Sequence, residues 1–276
     1  MRFSAEPTAE DTLRVDGCDI AWARWGDPSA TPIVLIHGAG AQMGWWDGVI
    51  AELVPELTVV AVDLSGHGDS DWRDQYSGEK WASEVSRVAD SVGGGAPILV
   101  GHSLGGRVAI VTAAQYPALV RELVLVDSPG DVSRVAPRTI VQPTRRHASL
   151  DAAIDAFQLQ PPEIIRNQEL LHRVAAHSYR KVDGSWQLKA DRHVFRRVDH
   201  DTVARNLAAT TVRITEIWGE SSPVVTEQVL KFLTDTHPGR TDFVAVRGGH
   251  HLLFDHGRAI ASVVRARWAC LTAAAK

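Results

Sequence analysis

The stretch Pro97-Ile98-Leu99-Val100-Gly101-His102-Ser103-Leu104-Gly105-Gly106-Arg107-Val108-Ala109 decides the fold. Its first part is an apolar run of strand length, and the residues after the central serine place Val108, Val111, Thr112 and Gln115 at helical spacing before Pro117. Between them, Gly101-His102-Ser103-Leu104-Gly105 fits G-x-S-x-G, where a serine tops a strand-to-helix turn too tight for side chains two positions before and after it. Ser103 is therefore a candidate nucleophile. A Gly/Ser loop joining two elements gives the same five residues, so the flanking chain has to carry the reading.

Outward from this stretch, the same strand, turn and helix rhythm repeats. Ile33-Val34-Leu35-Ile36 is continuous and apolar, as for a strand buried on both faces, and ends in His37-Gly38-Ala39-Gly40; a helix is expected over 45–53. Residues 57–62 form the next strand and run into Asp63-Leu64-Ser65-Gly66-His67-Gly68-Asp69-Ser70; Ser77 then caps a helix bearing Trp81, Val85, Val88 and Val92 on one face. Leu123-Val124-Leu125-Val126 followed by Asp127-Ser128-Pro129 begins the rhythm again. Before all of these, residues 12–15 and 18–25 flank Asp16-Gly17, a strong signal for a two-residue hairpin turn and an antiparallel edge.

From about 131 to 208 the rhythm breaks, and 150–159 and 168–178 show helical spacing instead. Strands return at 212–219 and 241–246, separated by a helix near 224–233 and followed by a closing helix at 257–268. The expected fold is α/β, a mostly parallel, doubly wound sheet of about eight strands. Its core is 1–130 and 209–276, with a helical cap, 131–208, inserted after the strand ending at Asp127.

Bulk properties narrow the function. The 276 residues suffice for a sizeable core, and a net charge of −4 argues against nucleic acid as a partner. The first residues hold no apolar leader and no run is long enough to cross a bilayer, so a cytoplasmic protein with no membrane partner is expected. Cys18 and Cys270, near opposite ends, read as unpaired cysteines. Arg145-Arg146, Arg180-Lys181 and Arg196-Arg197 make the insertion locally basic, which reads as a solvated face ahead of an anion site.

Four segments in this order, His37 to Gly40, Asp63 to Ser70, Gly101 to Gly105 and Gly248-Gly249-His250, make the chain resemble the α/β-hydrolase fold superfamily, in its serine-nucleophile, esterase-like branch. The resemblance implies a nucleophile, then an acid, then a histidine in chain order. A serine hydroxyl attacks well only when an imidazole takes its proton and a carboxylate orients that imidazole. By resemblance the base is His250, with His251 its adjacent competitor. The acid position of the family, three residues after Gly219, holds Ser222, which cannot carry charge. Asp127 replaces it in this reading, with Glu220 the alternative. Oxyanion donors by resemblance are the N–H groups of Ala39 and Leu104.

Asp63, His67 and Asp69 precede the nucleophile and read as a structural turn, and no metal-ligand spacing stands out around His250, His251 and His256. Together these imply a cofactor-free serine hydrolase, monomer or homodimer, cleaving an ester of a small, largely apolar acid. Carbon-carbon hydrolysis on the same triad, or a ligand-binding receptor of this fold with little turnover, are the alternatives.

Overall fold

The computed structural model of the protein describes residues 2–54, 56–128, 145–195 and 200–273. The strands are β1 (Ala9–Val15), β2 (Cys18–Trp25), β3 (Ile33–Ile36), β4 (Val59–Val62), β5 (Ile98–His102), β6 (Glu122–Val126), β7 (Tyr179–Val182), β8 (Ser185–Leu188), β9 (Ile214–Gly219) and β10 (Thr241–Val246). Between and after them run α1 (Asp47–Leu53), α2 (Gly78–Val92), α3 (Leu104–Gln115), α4 (Leu150–Asp155), α5 (Gln168–His177), α6 (His200–Ala209), α7 (Glu227–Thr236), α8 (Leu252–Asp255) and α9 (Gly257–Ala273).

Eight strands form one sheet in the order β1-β2-β4-β3-β5-β6-β9-β10. From β4 to β10 every pairing is parallel, while β1 and β2 add the antiparallel edge. The edge hairpin turns at Asp16 and Gly17, both at positive φ (48° and 78°), the two-residue turn whose twist suits a hairpin. In β3, β4, β5 and β6 every residue is buried, which is why their sequences are continuous rather than alternating.

Two apolar layers cover the sheet. One gathers Trp25, Leu35, Trp46, Ile50, Val100, Val126, Leu253 and Ile260; the other gathers Ile20, Val34, Val62, Trp81, Val85, Leu99, Val108 and Leu125. α2 starts as expected, with the Ser77 side chain accepting from Lys80 N. The segment expected to be helical departs from that reading. Within its described part, α4, α5 and α6 are accompanied by the antiparallel hairpin β7–β8, which turns on Asp183 and Gly184 at φ 49° and 77°. A strand pair forms there because Asp-Gly favours that turn and because Tyr179 and Gln187 are buried from it.

That segment packs into both layers, with Leu159, Leu170 and Val174 in the first and Val194, Val203 and Leu207 in the second. Residues 131–144 and the pair Arg196-Arg197 lie outside the described residues. Arg180 lies over the Trp72 ring, 4.4 Å from its centroid, and Arg146 approaches Asp183 at the surface, so these cations meet solvent and protein partners. Among the described residues no helix is long and apolar enough to cross a membrane. Cys18 is buried and Cys270 exposed, both unpaired.

Candidate active site

β5 ends at His102 and α3 begins at Leu104, leaving Ser103 to make the whole turn at φ 52° and ψ −115°. That conformation is strained for a residue with a Cβ and persists only where its surroundings enforce it. Close packing does so here. A Cβ on Gly101 would sit 2.4 Å from the backbone of Gly105 and Gly106, and one on Gly105 would sit 2.1 Å from the carbonyl oxygen of Ile36. Ser103 N donates to Val126 O at 3.1 Å, and Ser128 Oγ donates to the Ser103 carbonyl at 2.8 Å, so the elbow is tied to the end of β6.

Asp127 follows β6 directly, at φ 46°, its N–H bonded to Ile217 O on β9 at 2.7 Å. Its buried carboxylate receives Gly219 N on Oδ1 (2.9 Å), and Ser222 Oγ (2.5 Å) and His250 Nδ1 (2.6 Å) on Oδ2. The proton on Nδ1 leaves Nε2 of His250 with the lone pair a base needs. Burial pushes the His250 imidazole down to about 3, helped by the neighbouring His251. Burial pushes the Asp127 carboxyl up to about 7, against the Gly219 and Ser222 hydrogen bonds that pull it down. Three donors on one carboxylate favour its ionised form, and His250 is neutral at neutral pH.

The turn after β3 lies against Ser103: a Cβ on Gly38 would be 3.4 Å from Ser103 Cβ and 2.9 Å from His102 Nδ1. Ala39 is exposed on that turn, and Leu104 is the first residue of α3. His37 is buried and structural, its Nδ1 donating to Gly38 O and its Nε2 accepting Leu64 N. Asp63 likewise organises its loop by accepting Met43 N, Asp69 N and the Arg2 guanidinium. The open groove of about 500 Å³ beside Trp72, Arg73, Asp191 and His193 involves none of the residues around Ser103.

Asp127 and His250 are thus brought together, while Glu220 is exposed, with its N–H bonded to Val246 O. His251 is turned toward the inserted segment, its Nε2 donating to Pro161 O at 2.9 Å. Three residues escape a reading of sequence alone. Ser222, noted in the sequence only as a residue without charge, donates its hydroxyl to Asp127 Oδ2. Glu163 receives Gly249 N (3.2 Å) and His251 N (2.9 Å), fixing the histidine loop. Glu216, wholly buried, receives Ser128 N at 3.0 Å.

Residues 33–263 match the family model described as the alpha/beta hydrolase family. The chain belongs to the alpha/beta hydrolase family. Among its relatives is the esterase Rv0045c of Mycobacterium tuberculosis, to which this hydrolase is 34% identical over 269 residues, covering 91% of this chain and 87% of that protein. A crystal structure of that esterase superposes with a TM-score of 0.78 at 31% identity, covering 96% of this chain and 92% of that one. A second structure, concerned with transition metal inhibition of the same esterase, gives 0.76 at 28% identity, covering 96% and 93%.

Proposed function

We propose that this hydrolase is a serine esterase working through an acyl-enzyme, on an ester of a small, largely apolar carboxylic acid. The observation that carries the reading is the 2.6 Å bond from His250 Nδ1 to Asp127, beside a serine held on a strained elbow one strand away. In this reading Ser103 Oγ attacks the ester carbonyl while His250 Nε2 takes its proton, and Asp127 stabilises the imidazolium that forms. The N–H groups of Ala39 and Leu104 receive the oxyanion. Collapse expels the alcohol, which leaves with the proton from His250, and water then repeats the sequence to free the acid and regenerate Ser103.

An apolar acyl group suits the surroundings. Trp45 packs edge-on to Phe254 and Phe157, at 5.2 and 6.4 Å between centroids, and lies 5.7 Å from His251. The inserted segment supplies Phe157 and Glu163 and serves as the cap that shapes this side of the site. The hydrogen bond of Asp127 to His250 supports turnover ahead of a receptor of this fold, the alternative that rested on Ser222.

The test compares wild type with Ser103→Ala against a fluorophosphonate probe and a short-chain p-nitrophenyl ester. Labelling and nitrophenol release that both vanish in Ser103→Ala are expected. Wild-type protein that neither labels nor releases nitrophenol, while cleaving a carbon-carbon diketone, would move the reading to the sister chemistry.

A further inference from the structure

His250 stands on a loop with little regular structure of its own, after Gly248 and Gly249, residues with the freest backbone, and before the short α8. Its ring is fixed by Asp127 through Nδ1, and its carbonyl accepts His102 Nε2 at 3.1 Å. The amides on either side of it are held by the inserted segment. Glu163 accepts Gly249 N on Oε1 at 3.2 Å and His251 N on Oε2 at 2.9 Å. A Cβ on Gly249 would lie 2.6 Å from the Glu163 carboxylate, so the glycine makes room for that carboxylate.

The attachment is reciprocal. Asp255, at the end of α8, accepts Arg166 N on Oδ2 at 2.9 Å and Asn167 N on Oδ1 at 2.8 Å, and His251 Nε2 donates to Pro161 O at 2.9 Å. Each segment thus gives the other a carboxylate that receives two backbone N–H groups. Between these anchors Glu163 faces the histidine loop, while the next residue, Ile164, is 93% exposed. Apolar burial alone would favour the isoleucine inside and the acid outside, so the charge-assisted hydrogen bonds of Glu163 decide how this stretch lies.

We infer that Glu163 is a positioning residue for the general base, supplied by the inserted segment. The inference rests on the reading of His250 as that base. The hydrogen bonds of Glu163 reach the two flanking amides rather than the imidazole, so it acts through the place it gives His250. His250 Nε2 has to meet the Ser103 proton at attack and the leaving alcohol at collapse, and a misplacement of about 1 Å costs roughly 100-fold in rate. Two N–H groups converge on one side chain, so two acceptors are needed at once. A carboxylate supplies both. A glutamine of the same size supplies one and turns an NH₂ donor toward the other N–H.

The test compares Glu163→Gln, Glu163→Ala and Glu163→Asp with wild type on p-nitrophenyl butyrate. A thermal melt verifies that each is folded at the assay temperature, end-point labelling with a fluorophosphonate counts active sites, and hydrogen exchange by mass spectrometry follows the peptide 248–252. Expected for Glu163→Gln and Glu163→Ala are a kcat lowered by about 10- to 100-fold, a KM within about twofold of wild type, complete end-point labelling and faster exchange at 248–252. Glu163→Asp keeps both oxygens on a shorter stem and should stay closer to wild type than Glu163→Gln does. A role in packing alone would reverse that order, because glutamine conserves the size.

Glu163→Gln with wild-type kcat overturns the inference, as does a lost rate matched by an equal loss of labelled serine, the mark of a misfolded fraction. Wild type that turns over no ester sinks the reading of His250 as the base. The hold of Glu163 on the loop is then decided by exchange alone: unchanged rates at 248–252 in Glu163→Ala overturn it, and faster rates support it.

Discussion

At Asp127 three donors converge on one carboxylate, and two of them, Ser222 Oγ and His250 Nδ1, share the same oxygen. Ser222, on the loop after β9, thus acts as a donor to a carboxylate that follows the neighbouring strand β6. Asp127→Asn should therefore lower kcat by on the order of 10,000-fold, the usual cost of losing the orienting acid, whereas exposed Glu220→Gln should leave it within about twofold. Steady-state kinetics on the p-nitrophenyl ester decides between them. Ser222→Ala has a subtler effect. Without that hydrogen bond the Asp127 carboxylate is less satisfied and holds the imidazolium of His250 more strongly, so His250 protonates at higher pH. The acid limb of kcat/KM should move upward, by up to about one unit, since a hydrogen bond to a charged group is worth about 1.5–3 kcal/mol and one unit is 1.36 kcal/mol. Ser222 Oγ also accepts Val224 N and Val225 N, so a merely structural loss would lower the rate without moving the limb.

Glycine serves space at the strand-to-helix turn of Ser103 and backbone angle at the edge hairpin. Gly105 has no room: its Cβ would meet the Ile36 carbonyl at 2.1 Å, a backbone atom that cannot swing aside. Gly17, in the edge hairpin, has nothing within 4 Å and is needed only for its φ of 78°. Gly17→Ala should cost about 1–2 kcal/mol of unfolding free energy, the left-handed penalty alone, and Gly105→Ala at least about 3 kcal/mol, since α3 must withdraw from β3. Urea unfolding of the two variants side by side measures the contrast. The elbow was legible because every cue for it lies within thirteen residues, and Asp127 because it ends a strand that the apolar pattern marks. Ser222, Glu163 and Glu216 were not, because what defines them is contact with residues 86 to 95 positions away, which no local pattern encodes. The hairpin β7–β8 is a different kind of miss. Asp183-Gly184 carries the same signal as Asp16-Gly17, but the strands around it are short and polar, with Arg180 and Lys181 in one, so periodicity did not support it.

Across the whole molecule, the sheet carries a buried acid next to the edge that bears Ser103. Glu216 lies inside β9, accepts Ser128 N on Oε1 and has no partner for Oε2 among the described residues; Ser128 in turn holds the Ser103 carbonyl. Complete burial, with Asp127 nearby adding to it, pushes the Glu216 carboxyl well above the ordinary carboxylate range, which favours its neutral form in the folded protein. In the unfolded chain the same group ionises near pH 4.3. Below that pH it is protonated in both states and costs nothing. As pH rises above it, the unfolded state gains free energy by releasing a proton that the folded state must hold, by up to about 1.4 kcal/mol per unit, until the folded value is passed. The chain therefore supports its elbow with a group that weakens the fold at neutral and alkaline pH. Glu216→Gln keeps the carbonyl oxygen that accepts Ser128 N and removes the ionisation. Its melting temperature should exceed that of wild type at pH 8 and approach it at pH 4, when both are followed by circular dichroism in matched buffers. A difference that is the same at both pH values would mean that Glu216 is stabilised in its charged form by contacts beyond the Ser128 bond, and that the neutral support assigned to the elbow is wrong.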